Sequence, residues 1–400
     1  GGGDGTGGGL GAAMGGPTGT APLFQLYVSA DCQGTRQQNK YRMWYFFCMS
    51  GHKAGETLYF RIMDLNCVCK VYNQDLRPLV RVPSRSAEWE RLREPSTFCF
   101  ESDVLQLDFC YTPVSSDDVY FAFFYPFTYT DEQRILDRVA SKHQFRRGRV
   151  DSRTPKNKVY FHRELLTRSV EGRRIELLTI TSCEGALSER EPRIDGLFPS
   201  RSQRPLRFRG KPGVYISARV HPAETGASYM FHGLLNFLLD PTNKRAQALR
   251  SRFVFKLIPM LNPDGVHRGH FRSDSFGVNL NRMYANPSPT RQPAIHAAKL
   301  IIKQMSEFLE PSPEDAKAGG LAFFADLHSY TARTGCYLLG NNLPAHKEAR
   351  SLAYAHLVQM CAPQFSASAC SFGRGKKNKR SKDAAGGPVS AAGGAPQGPG

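Results

Sequence analysis

His221 and Glu224 stand three residues apart in Arg219-Val220-His221-Pro222-Ala223-Glu224, directly after the apolar run Val214–Ala218. One imidazole and one carboxylate at that spacing can grip a single zinc ion when a third ligand arrives from elsewhere. His-x-x-Glu is also common in ordinary packing, so the pair means little without downstream partners. The third candidate is His328, in Phe323-Phe324-Ala325-Asp326-Leu327-His328-Ser329-Tyr330. Side chains alternate along a strand, so Asp326 and His328 share a face, and Asp326 can accept from the imidazole and orient it. A histidine satisfied at a strand end is the bland alternative. It weakens because this one falls at a third strand exit.

Between the candidate ligands lies Leu261-Asn262-Pro263-Asp264-Gly265, which reads as a turn after a strand. Arg268, Arg272 and Gly277-Val278-Asn279-Leu280-Asn281-Arg282 follow. Neighbouring Asn and Arg donors with a second Arg nearby suit a carboxylate, and a guanidinium beside zinc can stabilise an oxyanion.

The surrounding pattern supplies elements to carry these residues. Val214–Ala218 reads as a strand and Thr225–Leu239 as a helix stopped by Asp240-Pro241, so His221 and Glu224 sit in a strand-to-helix turn. That is where open α/β sheets bind ligands. Strands over Arg174–Thr181, Phe253–Met260, Leu321–Leu327 and Cys336–Leu339, with helices over Pro293–Leu309 and Ala345–Met360, complete an α/β domain with a mixed or mostly parallel sheet. A charged, Pro-rich excursion over 184–212 interrupts it.

Upstream the rhythm differs. Phe24–Val28, Tyr41–Met49, Thr57–Ile62, Val68–Tyr72, Val104–Tyr111 and Val119–Tyr125 are short strand-like runs, which suggests an antiparallel sandwich or barrel. Trp44 and Trp89 are read as core residues. Thr130–His143 reads as a helix capped by Thr130, and Arg146–Lys158 as a basic linker. The expected organisation is a disordered Gly-rich segment over 1–22, a β-sandwich over 23–130, helix and linker over 131–158, an incomplete α/β domain over 159–372, and a basic then Gly/Ala/Pro-rich tail over 373–400.

The 400 residues are 40% hydrophobic, room for real cores, and carry a net charge of +18. That excess suits an acidic partner, but basic loops produce it equally well. The run Gly373–Lys382 reads as a solvated tail or a nuclear localisation signal. No apolar run approaches the roughly 18 residues of a membrane span, and no secretory h-region opens the chain. The ten cysteines form no C-x-x-C and are read as reduced and mostly buried in a cytosolic protein.

HPAE, NPDG, GVNLNR and DLHSY, in this order and spacing, resemble the M14 zinc carboxypeptidases. WYFF and YFAFFYPFTYT upstream narrow the resemblance to the cytosolic carboxypeptidase family. YFHRELL, RIELLTITS, REPR and FVFKLIPMLNPDG point within it to a branch of tubulin deglutamylases. The resemblance covers about residues 23–370. It implies one Zn2+ held by His221, Glu224 and His328, Arg272 polarising the scissile carbonyl, and Asn281 and Arg282 gripping the terminal carboxylate. Asn279 stands where classical members carry an acidic partner of the first histidine. The implied substrates are glutamates on tubulin or other glutamylated tails, including the branch-point glutamate, in the cytoplasm or on microtubules. No nucleic acid or membrane partner is implied.

Family members also use a Glu as general base on a strand well after His328. Here the only acidic residues after His328 are Glu348 and Asp383, in a helical segment and in the tail. The expectation is that this chain is impaired, since losing a general base costs about 10²–10⁴-fold. An inactive pseudo-peptidase that binds microtubules or glutamylated tails is the alternative. An amidohydrolase of the aspartoacylase group shares the ligand spacing but lacks the N-terminal β domain and the NLNR clamp.

Overall fold

The computed structural model describes residues 22–66, 72, 75–101, 104–145, 150–199, 202–308, 320–329, 335–341 and 343–372. The Gly-rich start, most of the Val68–Tyr72 run, part of the basic linker and the tail from 373 lie outside these residues. The chain divides into two compact units, residues 1–332 and 333–400.

The N-terminal part of the first unit is a sandwich of two four-stranded sheets. One has the order β1 (Leu23–Tyr27), β3 (Leu58–Leu65), β7 (Val104–Tyr111), β6 (Thr97–Glu101). The other has β2 (Phe46–Met49), β8 (Val119–Ala122), β4 (Leu79–Arg81), β5 (Glu90–Arg91). Alternation explains the core. Phe60 and Ile62 of β3 and Leu107 and Phe109 of β7 face inward and meet Val119 and Phe121 of β8. The Phe60, Phe109 and Phe121 rings pack with centroids 5.1–5.7 Å apart. The expected sandwich is present, with one departure: β1 pairs with β3 in parallel. Trp44 packs against this core. Trp89 does not join it; it is half-buried against Phe46, with the Arg81 guanidinium 4.9 Å from its ring. The cysteines also depart from expectation. Cys32 and Cys183 are buried, whereas Cys48, Cys99, Cys336 and Cys361 are exposed. Cys48 alternates outward on a sheet that is covered on one face only.

Helix α1 (Tyr129–His143) follows, capped by Thr128 rather than Thr130: Asp131 N donates to Thr128 Oγ1, and Asp131 returns a carboxylate to the Thr128 N–H. The α/β part is a five-stranded sheet ordered β15 (Leu321–Leu327), β13 (Gly213–Ala218), β14 (Val254–Ile258), β10 (Arg174–Ser182), β9 (Val159–Arg168). β13, β14 and β15 are parallel, and β9 and β10 antiparallel, so the sheet is mixed as expected. Every residue of β13 is buried, as its mostly apolar text, interrupted only by Ser217, suits a strand covered on both faces. On one face α2 (Gly226–Leu239) lays Phe231, Leu235 and Leu238 over Val214, Ile216 and Leu257. On the other, α5 (Pro293–Phe308) lays Ile295, Ala298 and Ile301 against Tyr215 and Ile258. These are the α/β/α layers.

Strands β4, β5, β6 and β9 were not read from sequence, and neither were two helices and a hairpin of the α/β part. α3 (Lys244–Arg252) is polar and capped by Asn243. The Asn-Pro-Asp-Gly turn is instead the start of α4 (Pro263–Arg268), capped by Asn262 with Pro at the first position. The 184–212 excursion folds into a hairpin of β11 (Ala186–Arg190) and β12 (Leu206–Phe208). It is tied to the sheet through buried charges: Arg204 pairs with Glu164 and Glu191, and Lys256 with Glu191.

The second unit holds α6 (Ala345–Cys361) and a small core of Ala355, Phe365 and Phe372. The expected strand over Cys336–Leu339 is not formed; Cys336 and Leu339 make only isolated bridges, to Phe365 and Ser371.

Candidate metal centre and its surroundings

β13 and β15 are neighbours in register, Ser217 opposite Asp326 and Ala218 opposite Leu327. Chain leaving the C-terminal ends of both therefore meets at one edge. Past β13, Arg219 takes a left-handed conformation (φ 56°), turning the chain sharply. Its buried guanidinium holds the turn, donating to Pro222 O at 2.6 Å, Ser228 Oγ at 2.9 Å and Phe127 O at 3.1 Å. Burial disfavours the Arg219 charge and draws its pKa down to about 10, an effect that Glu132 and Glu224 partly offset. Gly226 opens α2 where space is tight: a Cβ there would lie 2.6 Å from Ser329 Oγ, which would have to move.

The turn brings His221 and Glu224 beside His328. One ligand-capable atom from each lies within 4.8 Å of the others. Glu224 Oε1 is 2.7 Å from His221 Nδ1, and its Oε2 is 2.8 Å from His328 Nδ1 and accepts from Ser329 N at 3.1 Å. The far ring nitrogens are also held. His221 Nε2 is 3.0 Å from Asn279 Oδ1, and His328 Nε2 is 3.0 Å from Asp326 Oδ2. Asp326 is itself fixed by Ser217 Oγ at 2.7 Å.

This network assigns the protons. Asn279 Oδ1 accepts the backbone N–H of Asn281 at 3.0 Å, so the amide presents oxygen, not nitrogen, to His221. His221 must then donate from Nε2, and its Nδ1 turns a lone pair toward a carboxylate oxygen. His328 likewise donates to Asp326 and turns Nδ1 inward. Two imidazole lone pairs and a carboxylate converging on one point require a cation or extra protons. The donor set fits zinc. In the metal-free protein a proton on His328 fills part of that role. Burial opposes the charge on His328, but the hydrogen bonds the imidazole donates to Asp326 and Glu224 outweigh it and lift its pKa to about 10. Burial would raise Glu224, but the two histidines prevail and bring it down to about 2.

The remaining sequence candidates sit on two segments bonded to the turn that carries His221 and Glu224. Phe271 O accepts from Ala223 N at 3.2 Å, which sets Arg272 beside the ligand turn. The Arg272 guanidinium carbon lies 5.9 Å from the Tyr41 ring centroid. Asn281 and Arg282 form a 3-10 turn, Leu280–Arg282, whose start is Asn279. Arg282 is exposed and reaches the Asn281 carbonyl at 3.2 Å. Ser217, Ser329, Arg219 and Tyr41 were not singled out from sequence. Strand register finds Ser217, but register is not written in one strand's residues.

A model of the M14 peptidases, described as zinc carboxypeptidase, matches residues 156–374. The chain belongs to the M14 zinc carboxypeptidase family. Among its M14 relatives, human cytosolic carboxypeptidase-like protein 5 is 33% identical over 95% of this chain and 52% of its own length. The zebrafish (Danio rerio) protein of the same name is 32% identical over 91% of this chain and 52% of its own. Human cytosolic carboxypeptidase 6 is 30% identical over 88% of this chain and 62% of its own. The chain thus spans about half the length of the carboxypeptidase-like protein 5 relatives. A solved M14-type structure, a putative carboxypeptidase A from Shewanella denitrificans, superimposes with a TM-score of 0.63 at 20% identity, covering 87% of this chain and 76% of that one. A metallo-carboxypeptidase from Burkholderia cenocepacia gives 0.60 at 22% identity, with 86% and 75% covered. These likenesses carry the sandwich together with the α/β/α layers. No described helix is long and apolar enough to cross a membrane.

Proposed function

We infer that this M14 chain holds one zinc ion on His221, Glu224 and His328 and receives C-terminal or branch-point glutamates of glutamylated protein tails such as those of tubulin. The observation that carries the reading is the pair of inward imidazole lone pairs, each fixed by an acceptor on the far ring nitrogen and both facing Glu224. When bound, zinc supplies a Lewis acid for a peptide or isopeptide carbonyl. Arg272 is assigned to the carbonyl oxygen as charge develops on it, and Asn281 and Arg282 to the substrate's terminal carboxylate. Asn279 and Asp326 hold the imidazoles in the tautomers the ion needs. The excess of basic residues, 53 Lys and Arg against 35 Asp and Glu, supports an acidic tail as the partner. Cytoplasmic action belongs to the same reading, as the word cytosolic in the relatives' names suggests, and microtubule association follows from the proposed tubulin tail.

A second reading concerns rate. Among the described residues both carboxylates at the cluster are committed, Glu224 to two imidazoles and Ser329 N, Asp326 to His328 and Ser217. Neither is left over to shuttle a proton, which favours slow turnover or binding alone by these 400 residues. One experiment addresses both: zinc-loaded protein, with and without chelator, is incubated with linear and branched glutamyl peptides while free glutamate and peptide affinity are measured. Binding that needs zinc, with glutamate release at least about 10²-fold below an ordinary turnover of ~10 s⁻¹, is expected. Absence of both binding and release removes the reading; fast release removes only its second part.

A further inference from the structure

The loop carrying Arg272 is held by a segment of the N-terminal sandwich part, residues 31–41. Asp31, only 2% exposed, accepts four hydrogen bonds from that loop. Its Oδ1 takes Phe271 N at 2.6 Å. Its Oδ2 takes Arg272 N at 2.9 Å, Ser273 N at 2.8 Å and Ser273 Oγ at 2.7 Å. Three successive backbone N–H groups turned toward one point form an anion-binding concavity, and Asp31 fills it from 240 residues away in the chain. Asn39 adds Nδ2 bonds to Ser273 Oγ at 2.9 Å and Gly277 O at 3.3 Å. Contact is close enough to demand glycine at 277, where φ is +72° and a Cβ would lie 2.3 Å from Gln37 O. The same segment reaches the side chain: the Tyr41 ring lies under the Arg272 guanidinium at 5.9 Å and beside the Phe271 ring at 6.4 Å. The loop in turn bonds the ligand turn through Phe271 O and Ala223 N.

We propose that Asp31 and Tyr41 are positioning residues for Arg272, one fixing its backbone and the other its guanidinium, so that the sandwich part completes the substrate site. Fixing the backbone needs two carboxylate oxygens. An amide at position 31 would keep one acceptor and turn an NH₂ against a backbone N–H. Fixing the guanidinium needs only an aromatic face, since the attraction is to the ring. The part played by Tyr41 rests on the proposed meeting of Arg272 with substrate; that played by Asp31 does not.

The test therefore has two arms on the full 400-residue chain loaded with zinc. Hydrogen–deuterium exchange reads the backbone. In Asp31→Asn and Asp31→Ala, the amides of 271–273 exchange at least about tenfold faster while those of β3 stay protected and zinc content stays at one per chain. Unchanged exchange at 271–273 overturns the role of Asp31, as does a uniform rise across the molecule in both variants. Titration with a fluorescent glutamyl peptide reads the side chain. Tyr41→Ala weakens binding about fivefold, Tyr41→Phe restores it to within twofold, and Tyr41→Ala combined with Arg272→Ala is no weaker than Arg272→Ala alone. Additive losses, or failure of Phe to restore, overturn the role of Tyr41. A parent protein that binds no glutamyl peptide defeats the glutamate-tail reading and the role of Tyr41 with it, while the exchange arm still decides the role of Asp31.

Discussion

At the scale of single residues, the site works by constraining protons before any metal arrives. Asn279 and Asp326 do the same job on two imidazoles with different strength. Asp326 is a carboxylate fixed by Ser217, and Asn279 a neutral amide fixed by Asn281 N–H. Asp326 therefore raises the basicity of its imidazole more. Replacing it by Asn leaves a possible acceptor but removes the charge, and zinc affinity should fall about 10–100-fold. Competition against a chromophoric chelator measures this, and unchanged affinity would mean His328 is not a ligand. The protonation state sets a second expectation. In the metal-free protein His328 stays charged up to about 10, so at pH 7–8 zinc must displace its proton. Calorimetric titration in buffers of different ionisation heat should show about one proton released per zinc, with affinity rising as pH rises across that range. Release of no proton would place the ion elsewhere.

Among the elements, legibility followed how far an element's cause lies within its own residues. β13 was readable because a strand covered on both faces is mostly apolar, and α2 because its buried stripe recurs at helical spacing. The Thr128 cap was misplaced by two positions because Thr130 is an equally good capping residue, and only the path out of Phe127 chooses between them. Pro263-Asp264-Gly265 was read as a turn, since Pro and Gly break helices. Asn262 and the αL Gly269 at the far end make it a six-residue helix instead. Cys336–Leu339 looked like a strand, but strand formation depends on a neighbour that its own residues do not specify. The three residues that cluster, His221, Glu224 and His328, were legible as types and spacings; the grip of Asp31 on the loop at 271–273, across 240 residues, was not. The excursion hairpin carries a pH consequence that only packing reveals. His162 on β9 is buried, with its Nδ1 3.2 Å from Gln144 Nε2, and its pKa is pushed down to about 3 by burial first and then by Lys256, Arg204 and Arg190. Folded His162 stays neutral where the unfolded chain is protonated below about 6.5. The unfolded state then binds more protons, so stability is full above 6.5 and is lost as pH falls toward 3. At pH 5 the loss is on the order of 2 kcal/mol. His162→Gln should lose less stability than the parent between pH 7.5 and 5 in denaturant titrations; equal losses would show that His162 is not held neutral.

At the scale of the whole molecule, charge is the property that composition shows most plainly and explains least. Part of the basic excess is consumed in structure: Arg163, Arg173, Arg174 and Arg204 each meet a carboxylate within the fold. Such pairs set local geometry and leave the net value of +18 untouched. A net charge of that size acts at long range, over a Debye length of about 8 Å at physiological salt and about 3 Å at 1 M. It should therefore govern how fast an acidic tail arrives more than how tightly the terminal residue is held. Tail length separates the two. A peptide ending in two glutamates and one ending in six present the same chain end to the clamp proposed at Asn281 and Arg282, but the longer one carries four more charges into the basic field. Raising salt from about 0.05 to 0.5 M should slow association of the six-glutamate peptide more steeply than that of the two-glutamate peptide, while dissociation rates change little for either. Stopped-flow fluorescence with the zinc-loaded protein gives both rates. Equal salt dependence for the two lengths would confine recognition to the terminal residue and leave the net charge without a part in substrate capture.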